Sequence, residues 1–208
     1  MSAAEPAARQ RLFALYRTML LVRQAETALT RLFADGEVPG FIHLSIGQEA
    51  IAAGVTSALG PADTLATTHR GHGHVLARGI ALDGFFKEIM GRAGGICQGR
   101  GGSMHVADTS LGILGANGIV GAGIPIALGS PIAHATLASG GLAVVFFGDG
   151  AMAEGVLHET LNMAALWQSP LLGAVTALDL ADLDGAGRQE TLVGSQEGQV
   201  YALTDDGH

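Results

Sequence analysis

The run Val144-Val145-Phe146-Phe147 leads directly into Gly148-Asp149-Gly150-Ala151. A continuous apolar run that ends on a glycine turn has the form of a buried parallel strand. Ligands in open α/β sheets bind beyond the carboxyl ends of such strands. The helix that follows offers backbone N–H groups and a positive dipole end, both suited to a phosphate. An Asp at that point can hold a hard cation such as Mg²⁺, which in turn bridges phosphate oxygens. Taken alone, Gly-Asp-Gly is equally compatible with a plain turn. A second group is His69-Arg70-Gly71-His72-Gly73-His74. Three histidines so close suggest a zinc site, but no cysteine lies nearby and no fourth ligand is obvious. His105, His134 and His158 read as structural residues, and the single cysteine, Cys97, as a small apolar side chain.

These residues need elements to hold them. Helical spacing runs from about Pro6 to Asp35, with Leu12, Leu15, Tyr16, Met19, Leu20, Arg23 and Ala28 at steps of three and four. Gly36 ends that pattern. A second helix is predicted over Gly47 to Leu59, a short strand over Asp63 to Thr68 and a helix over Leu82 to Met90. Gly91 to Gly115 is a glycine-rich loop region without clear period. Gly121 to Ala138 reads as a buried helix, Leu142 to Phe147 as a buried strand, and Glu154 to Trp167 as an amphipathic helix stopped by Pro170. Alternating helices and buried strands imply an α/β, doubly wound, mostly parallel sheet.

Composition narrows the function classes. The chain has 208 residues, 32 of them glycine, and a formal charge of −8. No Lys/Arg cluster suggests a nucleic-acid surface. One cysteine excludes an internal disulfide and fits a reducing, cytoplasmic setting. The N-terminus lacks a basic-then-apolar signal pattern. Ile119 to Gly148 carries no charged side chain, which is long enough for a membrane span. Pro125, Pro131, His134 and the pair Gly140-Gly141 instead favour a buried helix, a turn and a strand, with no membrane partner.

Five blocks in order resemble one family. They are Phe41-Ile42-His43-Leu44-Ser45-Ile46-Gly47-Gln48-Glu49-Ala50, the His69–His74 group, Gly99-Arg100-Gly101-Gly102-Ser103-Met104-His105, Leu114-Gly115-Ala116-Asn117-Gly118-Ile119-Val120-Gly121, and the stretch from Gly148 to Trp167. Together they are similar to the thiamin diphosphate-dependent 2-oxoacid dehydrogenase alpha subunits, of the pyruvate or acetoin dehydrogenase kind. The resemblance implies a thiamin diphosphate-binding fold over residues 1–170. It also implies an oxidoreductase subunit that works in a heterotetramer with a beta subunit. The substrate would be a 2-oxoacid or acetoin, and the acyl group would pass to a lipoyl-bearing acyltransferase. Thiamin diphosphate and Mg²⁺ are the implied cofactors. Asp149 would be a Mg²⁺ ligand, with Gly150 and Ala151 contacting the diphosphate. Arg70 would bind the diphosphate, as a fixed charged fork suits phosphate. His69 stands where the family often has Tyr. Gly118 and Val120 would approach the cofactor rings, the glycine by allowing close backbone approach. His43 and His72 would sit near the substrate and the reacting centre as catalytic residues.

The pattern breaks near Leu171. Residues 1–170 hold 12 acidic and 10 basic side chains, whereas residues 171–208 hold 7 acidic and 1 basic. The family's two asparagines, the second a Mg²⁺ ligand, fall on Ala177 and Leu178, which cannot coordinate a cation. Asp179 could substitute only with a register shift. A later His-bearing loop and much of the family's sheet have no counterpart, so the domain is expected to be truncated. The tail, Val175 to Leu203, is similar to one integrin-like β-propeller repeat, whose Asp182, Asp184 and Glu190 could bind Ca²⁺ or form a solvated acidic turn. One repeat cannot bury its own face. The tail is therefore expected either as a hairpin on the sheet edge or as poorly packed. The alternative for the whole chain is a non-catalytic, truncated or chimeric remnant that holds no cofactor.

Overall fold

The computed structural model describes residues 4–175, 191–194 and 200–203. The chain forms two compact units. One comprises residues 1–59 and 70–106, the other residues 60–69 and 107–208.

The first unit is helical. Its elements are α1 (Ala4–Ala34), α2 (Glu49–Thr56), α3 (His72–Ala77) and α4 (Leu82–Ile89). The stripe of α1 that enters the core is Val22, Ala25, Glu26 and Leu29, spaced at three and four. This differs from the stripe expected from sequence: Leu12, Tyr16 and Leu20 are exposed, and so is Phe13. A carboxylate in the middle of the buried stripe disguised it. Helix α3 was not expected either. It has only six residues, too few to show a period, and burial of Val75 and Leu76 fixes it. Helix α4 buries Phe85, Glu88 and Ile89, one face at the same spacing.

The second unit holds the sheet. Its strands are β1 (Thr64–Thr68), β2 (Ile113–Asn117), β3 (Ala143–Phe147), β4 (Leu171–Val175), β5 (Thr191–Gly194) and β6 (Val200–Leu203). Their order is β2-β1-β3-β4-β5-β6. The first four are parallel, and β5 and β6 continue antiparallel. Strand β2 falls within the stretch expected to be a glycine-rich loop and the block that follows it. Gly115 has φ +143°, and the pairing with β1 shifts register there, which erased the period-two signal. Every side chain of β3 is buried, as an interior parallel strand requires.

Helices α5 (Gly123–Leu137) and α6 (Gly155–Leu166) belong to this unit. Ala66, Ile124, Ala127, Leu128, Val145, Phe147, Leu157 and Leu171 form a common core. Truncating a buried Phe such as Phe147 to Ala would cost about 3–5 kcal/mol. Helix α5 was expected to be buried. It buries one face only, and Ile126, Ile132 and Leu137 are exposed. Lack of charge marks its apolar character, not its burial. The tail's described strands form the expected edge hairpin, which joins the sheet beside β4. Asp182, Asp184 and Glu190 lie outside the described residues. No helix among the described residues is long and apolar enough to cross a membrane.

Candidate active site

In the second unit, three expected site segments follow three neighbouring parallel strands. His69 follows β1, Gly118 and Val120 follow β2, and Asp149, Gly150 and Ala151 follow β3. The chain steps from β1 to β2 on one side and then to β3 on the other. Strand order reverses there, which is where open α/β sheets bind ligands.

The β3 loop is shaped for a polar group. Asp149 is exposed in a 3-10 turn spanning Asp149–Ala153, and Ala151 is buried beneath it. A Cβ built on Gly148 or Gly150 would meet nothing within 4 Å, so the backbone there is open to approach. The β2 loop is turned by Asn117, whose side-chain oxygen accepts the Ile119 N–H at 2.8 Å. Gly121, at φ +79°, brings that loop against the start of α6, where an added Cβ would lie 3.1 Å from Val156. Val120 and Ile119 are exposed at this edge.

These residues fit a diphosphate–cation group in part. They offer a carboxylate beside open glycine backbone. Among the described residues no three His, Cys, Asp or Glu side chains gather to hold an ion. Ala177, Leu178 and Asp179, where a second side-chain ligand was sought, lie outside the described residues.

The first unit carries the other three expected residues. Arg70 is exposed and donates from Nη1 to the carbonyl of Leu44 at 2.9 Å. This ties it to the residue next to His43, which is half-buried. His72 is buried. Its Nε2 lies 2.8 Å from Ser103 Oγ and its Nδ1 lies 3.3 Å from Glu26 Oε2. Its ring meets Phe85 edge-on at 5.6 Å. Glu26 Oε1 accepts from both the N–H and the hydroxyl of Ser45, at 3.0 and 2.6 Å. The Gly73 N–H donates to Ser45 Oγ at 3.2 Å. Leu44 and Ser45 are thus fixed by Arg70 and Glu26, and they flank the His43 loop.

Histidine 74 is fully buried beside His72. Burial, and secondarily the charge of His72, pushes its pKa down to about 3, so it is neutral at neutral pH. Its burial does not suit it to a role at an exposed metal.

Two groups escaped sequence reasoning. Glu26 sits on the buried stripe of α1. Glu88 sits on the buried face of α4 and accepts four backbone N–H bonds from one glycine-rich segment. The donors are Cys97 and Gly99 to Oε2, both at 2.7 Å, and Gly101 and Gly102 to Oε1, at 2.7 and 3.1 Å. Burial alone would raise its carboxyl, but the four donors prevail and hold it below the usual carboxylate range. The detectable signal is an acid three residues after Phe85, on the face that Phe85 and Ile89 bury.

Residues 16–177 match the sequence profile of the dehydrogenase E1 component. The chain belongs to this family. The E1 match runs past the change of composition at residue 171. The chain is 49% identical over 158 residues to the alpha subunit of acetoin:2,6-dichlorophenolindophenol oxidoreductase from Bacillus subtilis (strain 168), covering 76% of this chain and 47% of that protein. Its counterpart from Cupriavidus necator is 44% identical over 171 residues, 82% of this chain and 51% of the relative. The pyruvate dehydrogenase E1 component subunit alpha of Zymomonas mobilis is 44% identical over 165 residues, 79% of this chain and 47% of the relative. The chain thus spans about half the length of the curated E1 relatives it matches.

Proposed function

We propose that this chain is the thiamin diphosphate-binding portion of an E1 alpha subunit that acts on pyruvate, a related 2-oxoacid or acetoin. The observation that carries the reading is the β3 loop. An exposed Asp149 beside open Gly148 and Gly150 backbone stands at the carboxyl end of an interior strand, in a chain 49% identical to an acetoin oxidoreductase alpha subunit.

Thiamin diphosphate, when bound, supplies the carbanion chemistry that cleaves the substrate's carbon–carbon bond. The chain's own part is to hold and orient. Asp149 binds the Mg²⁺ that neutralises the diphosphate, and Gly150 and Ala151 offer backbone N–H groups to its oxygens. Arg70 offers a charged fork of the kind that suits a phosphate. His69 contacts the cofactor beside it. Gly118 and Val120 give close backbone approach and apolar contact to the cofactor rings. His43 faces the substrate, and His72 orders the loop that carries it.

A beta subunit completes the site, and a lipoyl-bearing acyltransferase receives the acyl group. Exposed Leu12, Phe13 and Tyr16 on α1 are the kind of apolar surface that partner subunits cover. The second reading is a remnant that binds no cofactor, favoured by Ala177 and Leu178 where carboxamides were sought.

Calorimetric titration with thiamin diphosphate, with and without Mg²⁺, separates the two. Saturable, Mg²⁺-dependent binding supports the E1 reading. No binding to a chain folded by circular dichroism leaves the remnant.

A further inference from the structure

We propose that Glu88 is a positioning residue for His72, acting through the segment Cys97–Gly102 and through Ser103. The inference concerns the helical unit alone and holds whether or not the chain binds thiamin diphosphate.

The glycine-rich segment has the composition of a phosphate-binding loop, but its N–H groups already have an anion. Both carboxylate oxygens of Glu88 are used, each by two backbone donors. The donors converge because the segment wraps tightly. Gly99 takes φ +73°, and a Cβ there would lie 2.5 Å from the Arg92 carbonyl. A Cβ on Gly101 would lie 2.6 Å from the His105 carbonyl. Charge-assisted bonds of this number fix the segment more firmly than contacts among glycines could. Its last bonded residue, Gly102, immediately precedes Ser103, so the Glu88 carboxylate sets where the Ser103 hydroxyl points.

That hydroxyl lies 2.8 Å from His72 Nε2. On the other side of the ring, Glu26 Oε2 faces Nδ1. A carboxylate acceptor there favours the tautomer with its proton on Nδ1, in which Nε2 accepts the Ser103 hydroxyl. The order carboxylate, imidazole, hydroxyl is also that of a nucleophilic triad. Two observations argue for positioning instead. Ser103 is 7% exposed. The neighbouring Gly102 N–H, a natural oxyanion donor, is committed to Glu88. The chain from Glu88 to His72 therefore holds a ring in one tautomer and one orientation.

The test uses the full ¹⁵N-labelled chain and reads hydrogen exchange at Cys97, Gly99, Gly101 and Gly102 together with the two ring-nitrogen shifts of His72. The proposal expects Nδ1 protonated and Nε2 as acceptor in the unaltered protein. In Glu88→Ala, exchange at those four amides should quicken at least ~10-fold beyond any change elsewhere, the response to losing a charge-assisted hydrogen bond. The Nε2 resonance should move toward that of a free imidazole. Glu88→Gln keeps one carbonyl acceptor and should show a partial form of both effects. Ser103→Ala should move Nε2 while the four amides stay protected. A purely structural role would speed exchange throughout the helical unit without a selective change at His72. Either folded Glu88 variant with an unmoved His72 ring overturns the proposal, as does Ser103→Ala without effect on Nε2. If Glu88→Ala does not fold, Glu88→Gln carries the same readouts, and wild-type shifts showing Nε2 protonated overturn it without any variant.

Discussion

The carboxylate of Glu26 reaches Ser45 with one oxygen and His72 with the other, at 2.6 Å to the Ser45 hydroxyl and 3.3 Å to His72 Nδ1. All three side chains are buried. A single acid on α1 therefore joins the loop of His43 to helix α3. Glu26→Ala leaves buried donors unanswered and should destabilise the chain by about 3–5 kcal/mol, as breaking a buried polar network does. Glu26→Gln keeps an acceptor and should cost clearly less. Urea unfolding midpoints of the two variants measure the difference; equal small losses would show that the network contributes little.

The burial of His74 gives the fold a pH dependence with a definite sign. Its pKa falls from 6.5 in the unfolded chain to about 3 when folded, so the unfolded state binds the extra proton in between. Its contribution is fully present above pH 6.5 and is lost as pH falls from there toward 3. Glu88 and Glu49 also have lowered carboxyl values, Glu49 chiefly through its bond from Arg23. Their contributions are present above the ordinary carboxylate range and fall away below it. Between pH 6.5 and 4.5 the slope should thus come largely from His74, at up to ~1.4 kcal/mol per pH unit. Unfolding at pH 7.5, 6 and 5 reads the slope directly. A folded His74→Phe variant with an unchanged slope would remove His74 as its source.

Glycines in the Cys97–Gly102 segment should not be equivalent. Gly99→Ala forces a Cβ to 2.5 Å from the Arg92 carbonyl at a left-handed φ of +73°. It should destabilise by more than ~2 kcal/mol, because the obstacle is backbone and cannot swing aside. Gly102 also has positive φ, +59°, but an added Cβ meets nothing within 4 Å. Gly102→Ala should cost only the conformational preference, about 1 kcal/mol. Thermal unfolding of the two variants gives the ranking, and the reverse order would mean the segment is packed differently.

The parts of the fold legible in sequence were those whose pattern is dictated by burial on one or two faces. Strand β3 is legible from six consecutive apolar residues, Leu142 to Phe147, and α6 from its polar–apolar period. The β3 loop was read from Gly-Asp-Gly at the end of that strand. The helical network was not legible, because it depends on acids placed where apolar residues are expected. Glu26 lies between Ala25 and Leu29, and Glu88 between Phe85 and Ile89, and in each case the buried face is plain only once the acid is counted as part of it. His72 was picked out by its neighbours in the motif, yet its partners Glu26 and Ser103 are 46 and 31 residues away, a separation no local pattern reveals.

Asp149 offers the sharpest contrast between stability and ligand binding. It is exposed, at the first position of the 3-10 turn Asp149–Ala153. Asp149→Ala should leave the stability within about 0.5 kcal/mol of the parent, as for other exposed positions. Under the E1 reading it should abolish Mg²⁺-dependent thiamin diphosphate binding, since the cation would lose its one matched side-chain ligand among the described residues. Asp149→Asn keeps an oxygen without the charge and should bind weakly, with a requirement for higher Mg²⁺. Titration calorimetry on both variants, at fixed cofactor and varied Mg²⁺, separates these outcomes. Undiminished binding by Asp149→Ala would place the cation elsewhere and withdraw the β3 loop as its site. Lost binding with an unchanged midpoint would assign the loop to the ligand rather than to the fold.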